Sequence, residues 1–179
     1  MVLIRSTLQN VSRDLLFLAS VSSTYFRNIQ CNSLTGFRLH PNLLGGIIVC
    51  ALRSKDSAHG VKMAKLAAKY LQKSKSDPAG VVGFDVAGDE GNYPLNSPDC
   101  TMMNGIVRAK ELGVPITVHA GEWPEKFKTI DNLKFAINEI KAHRLGHAIT
   151  LRSDEKFLQS IGQKLTIEVS TFKYKHVSL

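Results

Sequence analysis

The chain has 179 residues, enough for one ordinary domain with a sizeable core, and its 44% hydrophobic and 21% charged residues make a globular composition. Its 23 Lys and Arg residues exceed its 15 Asp and Glu residues, which gives a formal net charge of +8. The basic residues are scattered and form no block, so we interpret the charge as a solvated surface and expect no nucleic-acid partner.

The cysteines and the apolar segments bear on the cellular compartment. Cys31, Cys50 and Cys100 are odd in number, far apart and without C-x-x-C spacing, which argues against a disulfide framework or a cysteine zinc site. The apolar run 15–21 is too short to span a membrane, and the polar residues before it make a poor signal peptide. We therefore predict a cytoplasmic protein without a membrane partner.

The N-terminal segment, residues 1–43, is weakly patterned. Its sequence suggests a short helix from Gln9 through Leu18, after which Ser, Thr, Asn and Gly residues indicate loops. His40 stands beside Pro41, which is typical of an exposed turn rather than of a metal ligand. This segment carries no pattern that we connect with chemistry.

Strands and helices begin to alternate near Gly45. Strand-like apolar runs lie at 47–52, 81–86, 115–119, 144–149 and 165–169. Between them lie an amphipathic helix over 57–73, a helix capped by Ser97, a helix through 133–140 and a helix capped by Ser153. The continuous apolar character of the first run is typical of a parallel strand that is buried on both faces.

This alternation predicts an α/β fold with a parallel sheet, because connections between parallel strands are short and right-handed. Either a doubly wound sheet or part of a (β/α)8 barrel fits the order. A complete barrel has eight strands and about 250 residues. With only about five strands visible, a barrel would be incomplete.

Ionisable side chains stand at the ends of three of these strands. His119 and Glu122 are separated by two small residues, His147 follows Gly146 on the next strand, and Asp85 lies in the preceding strand. Because the carboxyl ends of parallel strands share one surface, we expect these side chains to form one site. Imidazole is a common zinc ligand, and a nearby carboxylate can serve as a general acid or base.

Each of these residues also has a structural interpretation. His119 could be a buried imidazole bonded to a backbone carbonyl, and Asp85 a buried carboxylate satisfied by backbone N–H groups. Asp89 and Glu90 could cap a loop or face solvent. Gly88 would let the backbone approach a flat ligand closely. His143 would lie at a helix end, where its charge favours the negative pole of the helix.

Three segments carry a resemblance to a known family. Residues 84–90 (FDVAGDE), 117–122 (TVHAGE) and 144–147 (RLGH), in this order, resemble the adenosine deaminase family of zinc-dependent (β/α)8-barrel hydrolases. The resemblance runs from about Gly45 to Val169. The first segment is closer to the adenosine enzymes than to the AMP or adenine deaminases, and the cysteine pattern of the cytidine-deaminase scaffold is absent from the sequence.

The resemblance implies a role for each residue of the predicted site. His119 corresponds to a zinc-ligand histidine, Glu122 to the acid that protonates the purine ring, and His147 to the histidine that orients the zinc-bound hydroxide. Gly88 corresponds to a glycine whose backbone N–H contacts the purine, and Asp85 to a substrate-site aspartate. The implied reaction is zinc-dependent hydrolysis of adenosine or deoxyadenosine to inosine or deoxyinosine and ammonia. The implied partner is therefore a small purine nucleoside.

The sequence departs from the family at both ends. It contains no His-x-His pair and no Asp-Asp pair, which supply the remaining zinc ligands in the family. We therefore expect an unmatched segment over 1–43, a partial deaminase barrel over 44–169 and a divergent tail over 170–179. Such a chain resembles the central portion of the enzyme, as truncation or alternative splicing would produce, and we expect little activity from it alone.

A second function, from a different class, fits the same features. An incomplete barrel would act as a non-catalytic fragment that binds a nucleoside or associates with another chain. The strands at 47–52 and 165–169 would then be unpaired edges, and unpaired edges favour self-association.

Overall fold

The computed structural model describes residues 4–9, 14–21, 43–71, 80–122, 129–161 and 165–168. Its strands are β1 (Ile4–Gln9), β2 (Asp14–Val21), β3 (Leu43–Leu52), β4 (Gly80–Ala87), β5 (Ile116–Ala120), β6 (Arg144–His147) and β7 (Thr166–Glu168). Its helices are α1 (Ser57–Lys69), α2 (Met103–Glu111), α3 (Thr129–Asn138) and α4 (Glu155–Ile161), with a 3-10 turn at Ile149–Ser153 before α4. Within these ranges, no helix has the length and apolar character of a membrane span.

The strands form one sheet whose spatial order follows the order of the chain. Strands β2 to β7 are parallel to one another, and β1 is antiparallel to β2. A doubly wound sheet reverses its strand order at a switch point, whereas this sheet does not. The prediction of a parallel α/β fold is confirmed, and the sequential order is that of a barrel segment.

The central strands are apolar on one face and polar on the other. On the apolar face, Val86 pairs with Val118, which pairs with Leu145, and all three are fully buried in the core shared with the helices. On the opposite face, Asp85 pairs with Thr117. Side chains alternate between faces along a strand, so a continuous apolar core lies under the helices while polar groups share the other side.

The prediction of a short helix from Gln9 to Leu18 is wrong. Residues from Asp14 onward form β2, which pairs with β3 along seven residues and with β1 on its other side. The weak helical pattern does not decide the structure here, because the apolar run forms backbone hydrogen bonds with β3 when it is extended. The expectation that the run 47–52 is a free edge is therefore also wrong, whereas β7 lies at one end of the described sheet.

Two helix starts also differ from the predicted ones. Ser97 lies in a series of turns, and α2 begins later, at Met103. Helix α4 is capped not by Ser153 but by Asp154, whose carboxylate accepts the backbone N–H of Phe157 at 2.9 Å. Asp154 also pairs with Lys134 of α3 at 2.7 Å, so the tertiary contact and the cap select the same residue.

Helices α1 and α2 touch through two glycines. A Cβ atom on Gly105 would lie 2.7 Å from the carbonyl carbon of Gly60, closer than packing allows. Both glycines are buried, and Met102 lies beside Gly60. The two helix backbones can therefore approach closely because Gly60 and Gly105 have no side chains.

Replacement of Gly105 by Ala should destabilise the fold although alanine is the better helix former. The gain in helix propensity is about 1 kcal/mol, whereas forcing the backbones apart costs about 1–3 kcal/mol plus the packing lost around Met102. Urea unfolding followed by circular dichroism measures the net change. As a control, Val107→Ala at an exposed position of the same helix should change the free energy of unfolding by no more than about 0.5 kcal/mol. A Gly105→Ala variant as stable as the original chain would contradict the close contact.

Candidate active site

His119 and Asp85 meet at the carboxyl ends of β5 and β4. The Nδ1 atom of His119 lies 3.0 Å from Oδ1 and 2.9 Å from Oδ2 of Asp85. Both side chains are buried, with 7% and 1% of their surface exposed. An ionised carboxylate can only accept hydrogen bonds, so Nδ1 of His119 carries the hydrogen and donates it to Asp85. Nε2 is then the nitrogen left for another ligand. The structural interpretation of Asp85, a carboxylate satisfied by backbone N–H groups, does not describe this contact.

Gly146 of β6 makes room for the His119 ring. The register pairs His119 with Gly146, and a Cβ atom at Gly146 would lie 3.0 Å from Cγ of the imidazole. The ring therefore lies flat against the backbone of the neighbouring strand. The space beside Gly146 is thus occupied by His119.

Glu122, two residues after β5, and His147, the last residue of β6, approach each other. Oε1 of Glu122 lies 3.7 Å from Nε2 of His147, and the His147 ring centroid lies 5.2 Å from that of His119. The register pairs His147 with Ala120, which lies on the same apolar face of β5 as Val118. The backbone at His147 is left-handed, with φ of 71°, and this unusual conformation redirects the chain at the strand end.

Two glycines shape the loops around these side chains. Gly121 has φ of 70°, and a Cβ atom there would lie 2.7 Å from Oγ1 of Thr150, so both conformation and space require glycine. Gly88 has φ of 114° at the end of β4, where a Cβ atom would meet only ordinary contacts. Gly88 is therefore required by the backbone conformation, and the residue is exposed.

Three buried polar residues of the site were not predicted from the sequence. Glu90 was expected to cap a loop or face solvent, yet only 2% of it is exposed. Its Oε1 accepts the N–H of Gly121 at 2.7 Å, and its Oε2 accepts the N–H of Glu122 at 3.0 Å. Asn132 of α3 donates its side-chain N–H to the same carboxylate. The FDVAGDE segment was noted for Gly88 and Asp85, but nothing in it distinguishes Glu90 from its exposed neighbour.

Arg53 is the third unpredicted residue and lies after β3. Its position in the sequence Arg-Ser-Lys-Asp is typical of a polar loop, but the side chain is fully buried. Its guanidinium donates to the carbonyl of Tyr93 at 3.1 Å and to the carbonyl of His119. Burial lowers the pKa of Arg53, and the nearby charges of Glu90 and Asp85 partly offset this effect.

Other polar residues hold loops rather than reach the site. Asp89 caps the loop after β4: its carboxylate accepts the backbone and side-chain N–H groups of Asn92, which lower the pKa of Asp89. His143 accepts the backbone N–H of Ile116 at 3.1 Å, so it joins the loop before β6 to the start of β5. His40 lies outside the described residues.

The described residues do not by themselves fit a zinc ion. Within their ranges, no group of three or more His, Cys, Asp or Glu side chains could hold a metal. A catalytic zinc normally has three protein ligands and one open position. His119 presents a suitable nitrogen, Nε2, but one imidazole does not make such a site.

The pKa of His119 follows from its surroundings. Burial lowers the pKa, but the charge of Asp85, the hydrogen bond to it and the charge of Glu122 act in the opposite direction. The net effect raises the pKa above its ordinary value of 6.5. In the absence of a metal, the imidazole is therefore protonated over a wider pH range than a solvated one.

The sequential parallel sheet, with ionisable side chains at its carboxyl end, has the architecture of a segment of a (β/α)8 barrel. An amidohydrolase from Burkholderia ambifaria with bound Zn superposes with a TM-score of 0.62 at 18% identity, over 83% of this chain and 40% of that one. An N6-mAMP deaminase from Arabidopsis superposes with a TM-score of 0.51 at 26% identity, over 72% of this chain and 34% of that one. The first likeness, at so low an identity, bears on the fold alone.

The family follows from the sequence match. The family model for adenosine deaminase matches residues 42–172, which is most of the chain. An adenosine deaminase from Clostridium kluyveri is 30% identical over 135 residues, which cover 74% of this chain and 34% of that protein. The chain belongs to the adenosine deaminase family, and it spans about a third of the length of this curated relative.

Replacement of Asp85 by Asn should make the stability of the metal-free chain depend less on pH. A raised His119 pKa stabilises the fold fully below the unfolded value of 6.5, and this contribution is lost as the pH rises through the folded pKa. At about pH 6 we expect Asp85→Asn to lower the free energy of unfolding by about 1–3 kcal/mol. At about pH 8.5 the difference should be smaller.

Urea unfolding of both proteins at several pH values measures this difference. Asp131→Asn, which removes an exposed carboxylate in the first turn of α3, is the control and should show no such trend. A difference that grows between pH 6.5 and higher values would contradict the raised pKa of His119.

Proposed function

We propose that the protein represented by this chain hydrolyses adenosine or deoxyadenosine to inosine or deoxyinosine and ammonia. One observation carries the proposal: Glu122 and His147 lie together beside the Asp85–His119 pair. These four side chains come from the ends of three successive strands. A carboxyl group and imidazoles are the side chains that most often serve as general acids and bases in enzymes.

In the proposed reaction, water attacks the purine carbon that carries the amino group. Glu122 donates a proton to the adjacent ring nitrogen, and His147 accepts a hydrogen bond from the incoming water and orients it. A carbon–oxygen bond forms as one water proton passes to His147, which delivers it to the amino group. The carbon–nitrogen bond then breaks and ammonia leaves, while the remaining hydroxyl proton returns to Glu122 and the new oxygen becomes the carbonyl of inosine. Gly88 offers its backbone N–H to the purine. Asp85 holds the tautomer and orientation of His119 rather than contacting the substrate.

We propose zinc as the cofactor of the whole protein, with His119 as one ligand through Nε2. The other ligands would come from outside the described residues, so we assign no step of the reaction to the metal. We also propose that the chain consists of a segment 1–43, a partial barrel 44–169 and a tail 170–179. We further propose that the protein is cytoplasmic and acts in purine metabolism.

The substrate within the class of 6-aminopurines is the finer part of the proposal. The sequence relative named above is an adenosine deaminase, whereas the Arabidopsis neighbour acts on N6-mAMP. The FDVAGDE segment supports the nucleoside. Parallel assays with adenosine, deoxyadenosine, AMP, N6-methyl-AMP and adenine discriminate between these substrates.

An alternative function is a non-catalytic fragment that binds a nucleoside or pairs with another chain. It is favoured by the lack of a three-ligand metal group among the described residues. Strand β7 also ends the described sheet, so its outer edge is available for pairing within that part of the structure. In this alternative, the site retains purine contacts but catalyses nothing.

The isolated 179-residue chain should bind zinc weakly and show negligible turnover of adenosine, because its described residues present one suitable imidazole, that of His119, and no group of three metal ligands. Equilibrium dialysis with metal analysis and an ammonia-release assay measure both quantities. Turnover by this chain that Glu122→Gln abolishes would contradict the expectation and would show a complete catalytic site.

A chimera tests the site itself. In it, residues 44–169 replace the matched segment of the Clostridium kluyveri enzyme, which supplies the rest of the barrel. We expect adenosine turnover that Glu122→Gln lowers about 100-fold or more, the usual contribution of a general acid. Glu139→Gln, at an exposed position after α3, is the matched control. A folded chimera in which both variants are equally active would refute the assignment of Glu122.

Self-association of the isolated chain distinguishes the alternative. If an unpaired sheet edge recruits a second copy, sedimentation velocity should show a concentration-dependent dimer or larger species. Lys substitutions at Thr166 and Ile167 of β7, two exposed positions, should weaken it because charges on an edge strand oppose pairing. A monomer at all concentrations, with a cooperative thermal transition, would count against the fragment hypothesis.

A further inference from the structure

The turn between β5 and its loop is held by charged side chains from other elements. Glu90, in the loop after β4, accepts the N–H of Gly121 on one oxygen and the N–H of Glu122 on the other. Successive backbone N–H groups around a left-handed residue form an anion-binding concavity. Gly121, with φ of 70°, has this conformation. The bound anion is here the protein's own carboxylate.

Three backbone carbonyls of this turn are also hydrogen-bonded. The carbonyl of His119 accepts from Arg53. The carbonyl of Ala120 accepts the N–H of Ala148 at 3.0 Å. The carbonyl of Gly121 accepts the N–H groups of Ile149 and Thr150 at 2.9 and 3.2 Å. The backbone from His119 to the N–H of Glu122 is thus fixed from three directions.

The carboxylate of Glu90 is stabilised although it is buried. A buried charge is costly unless it is paired and hydrogen-bonded. Asn132 donates to Glu90 Oε1, while its own side-chain oxygen accepts the N–H of Leu95 at 2.7 Å. The guanidinium of Arg53 is close enough for the charge of Glu90 to act on it. Such compensation around one carboxylate exceeds what a loop cap requires, as the exposed Asp89 next to it illustrates.

We propose that Glu90 is a positioning residue for Glu122. It lies two residues after Gly88, the proposed purine contact, and bonds directly to the backbone of Glu122. The loop that faces the purine and the residue that protonates it are therefore joined by one carboxylate. This inference rests on the proposed function for its catalytic meaning, since it assigns Glu90 to the same site.

Positioning has a measurable consequence. Loss of the carboxylate removes a charge-assisted hydrogen bond from at least one of two adjacent N–H groups, because a glutamine oxygen cannot replace both oxygens of Glu90. The Gly121–Glu122 peptide would then sample other conformations, and the Glu122 side chain with it. A displacement of about 1 Å at a reacting group costs about 100-fold in rate.

Amide hydrogen exchange of the full 179-residue chain, labelled with ¹⁵N and free of metal, tests the proposal. In Glu90→Gln, the N–H of Gly121 or of Glu122 should exchange roughly tenfold faster or more, with upfield shifts of the amide protons. The N–H groups of Phe84 and Val118, in the core strands, should exchange as before. Such a local change is not expected of a residue that contributes only to global stability.

Asp89→Asn is the matched control, because it changes the neighbouring carboxylate without touching the turn, and should leave Gly121 and Glu122 unaffected. If Glu90→Gln does not fold, Glu90→Asp takes its place with the same expectation, because the shorter side chain withdraws the carboxylate. Unchanged exchange of both amides in the folded variant, or an equal effect of Asp89→Asn, would overturn the proposal. Neither result depends on turnover, so a folded but inactive chimera would count against the proposed function without deciding the role of Glu90.

Discussion

Two carboxylates, those of Asp85 and Glu90, are buried at the carboxyl end of the sheet, and such charges remain inside a protein only when they are compensated. Asp85 is compensated by the imidazole of His119, and Glu90 by two backbone N–H groups and Asn132. Arg53 lies within electrostatic reach of both. The bond to Asp85 fixes the orientation of the His119 ring, and the bonds to Glu90 fix the backbone of the following turn.

The order of the strands makes the compensation possible. Because β4, β5 and β6 are parallel neighbours, their carboxyl ends lie side by side, and each delivers a polar residue to the same place. Successive side chains of a strand point to opposite faces of the sheet. The side chains on one face therefore pack against the helices, while those on the other face form the polar site. This arrangement requires glycine at two positions. A side chain at Gly146 would collide with the ring of His119, and one at Gly121 would collide with Thr150.

Much of the architecture could be predicted from local patterns. The five apolar runs are strands, and the helices between them lie near the predicted positions. The failures have a common cause. The run beginning at Asp14 carried no strong local signal, and pairing with β3 decided that it is a strand. Ser97 and Ser153 were acceptable caps by residue type, but the packing of α2 and the ion pair of Asp154 with Lys134 placed the helix starts elsewhere.

The sequence by itself determined the parallel α/β class, the family and the four ionisable residues that come together, because apolar periodicity and motif spacing are local properties. It did not reveal that Glu90 is buried while Asp89 is exposed, nor that Arg53 contacts the backbone of His119. Those contacts join residues that are 31 and 66 positions apart, and only the tertiary structure brings them together. Burial of a charge depends on where its partners lie in space, so one of two adjacent carboxylates, Glu90, can be buried while the other, Asp89, is exposed.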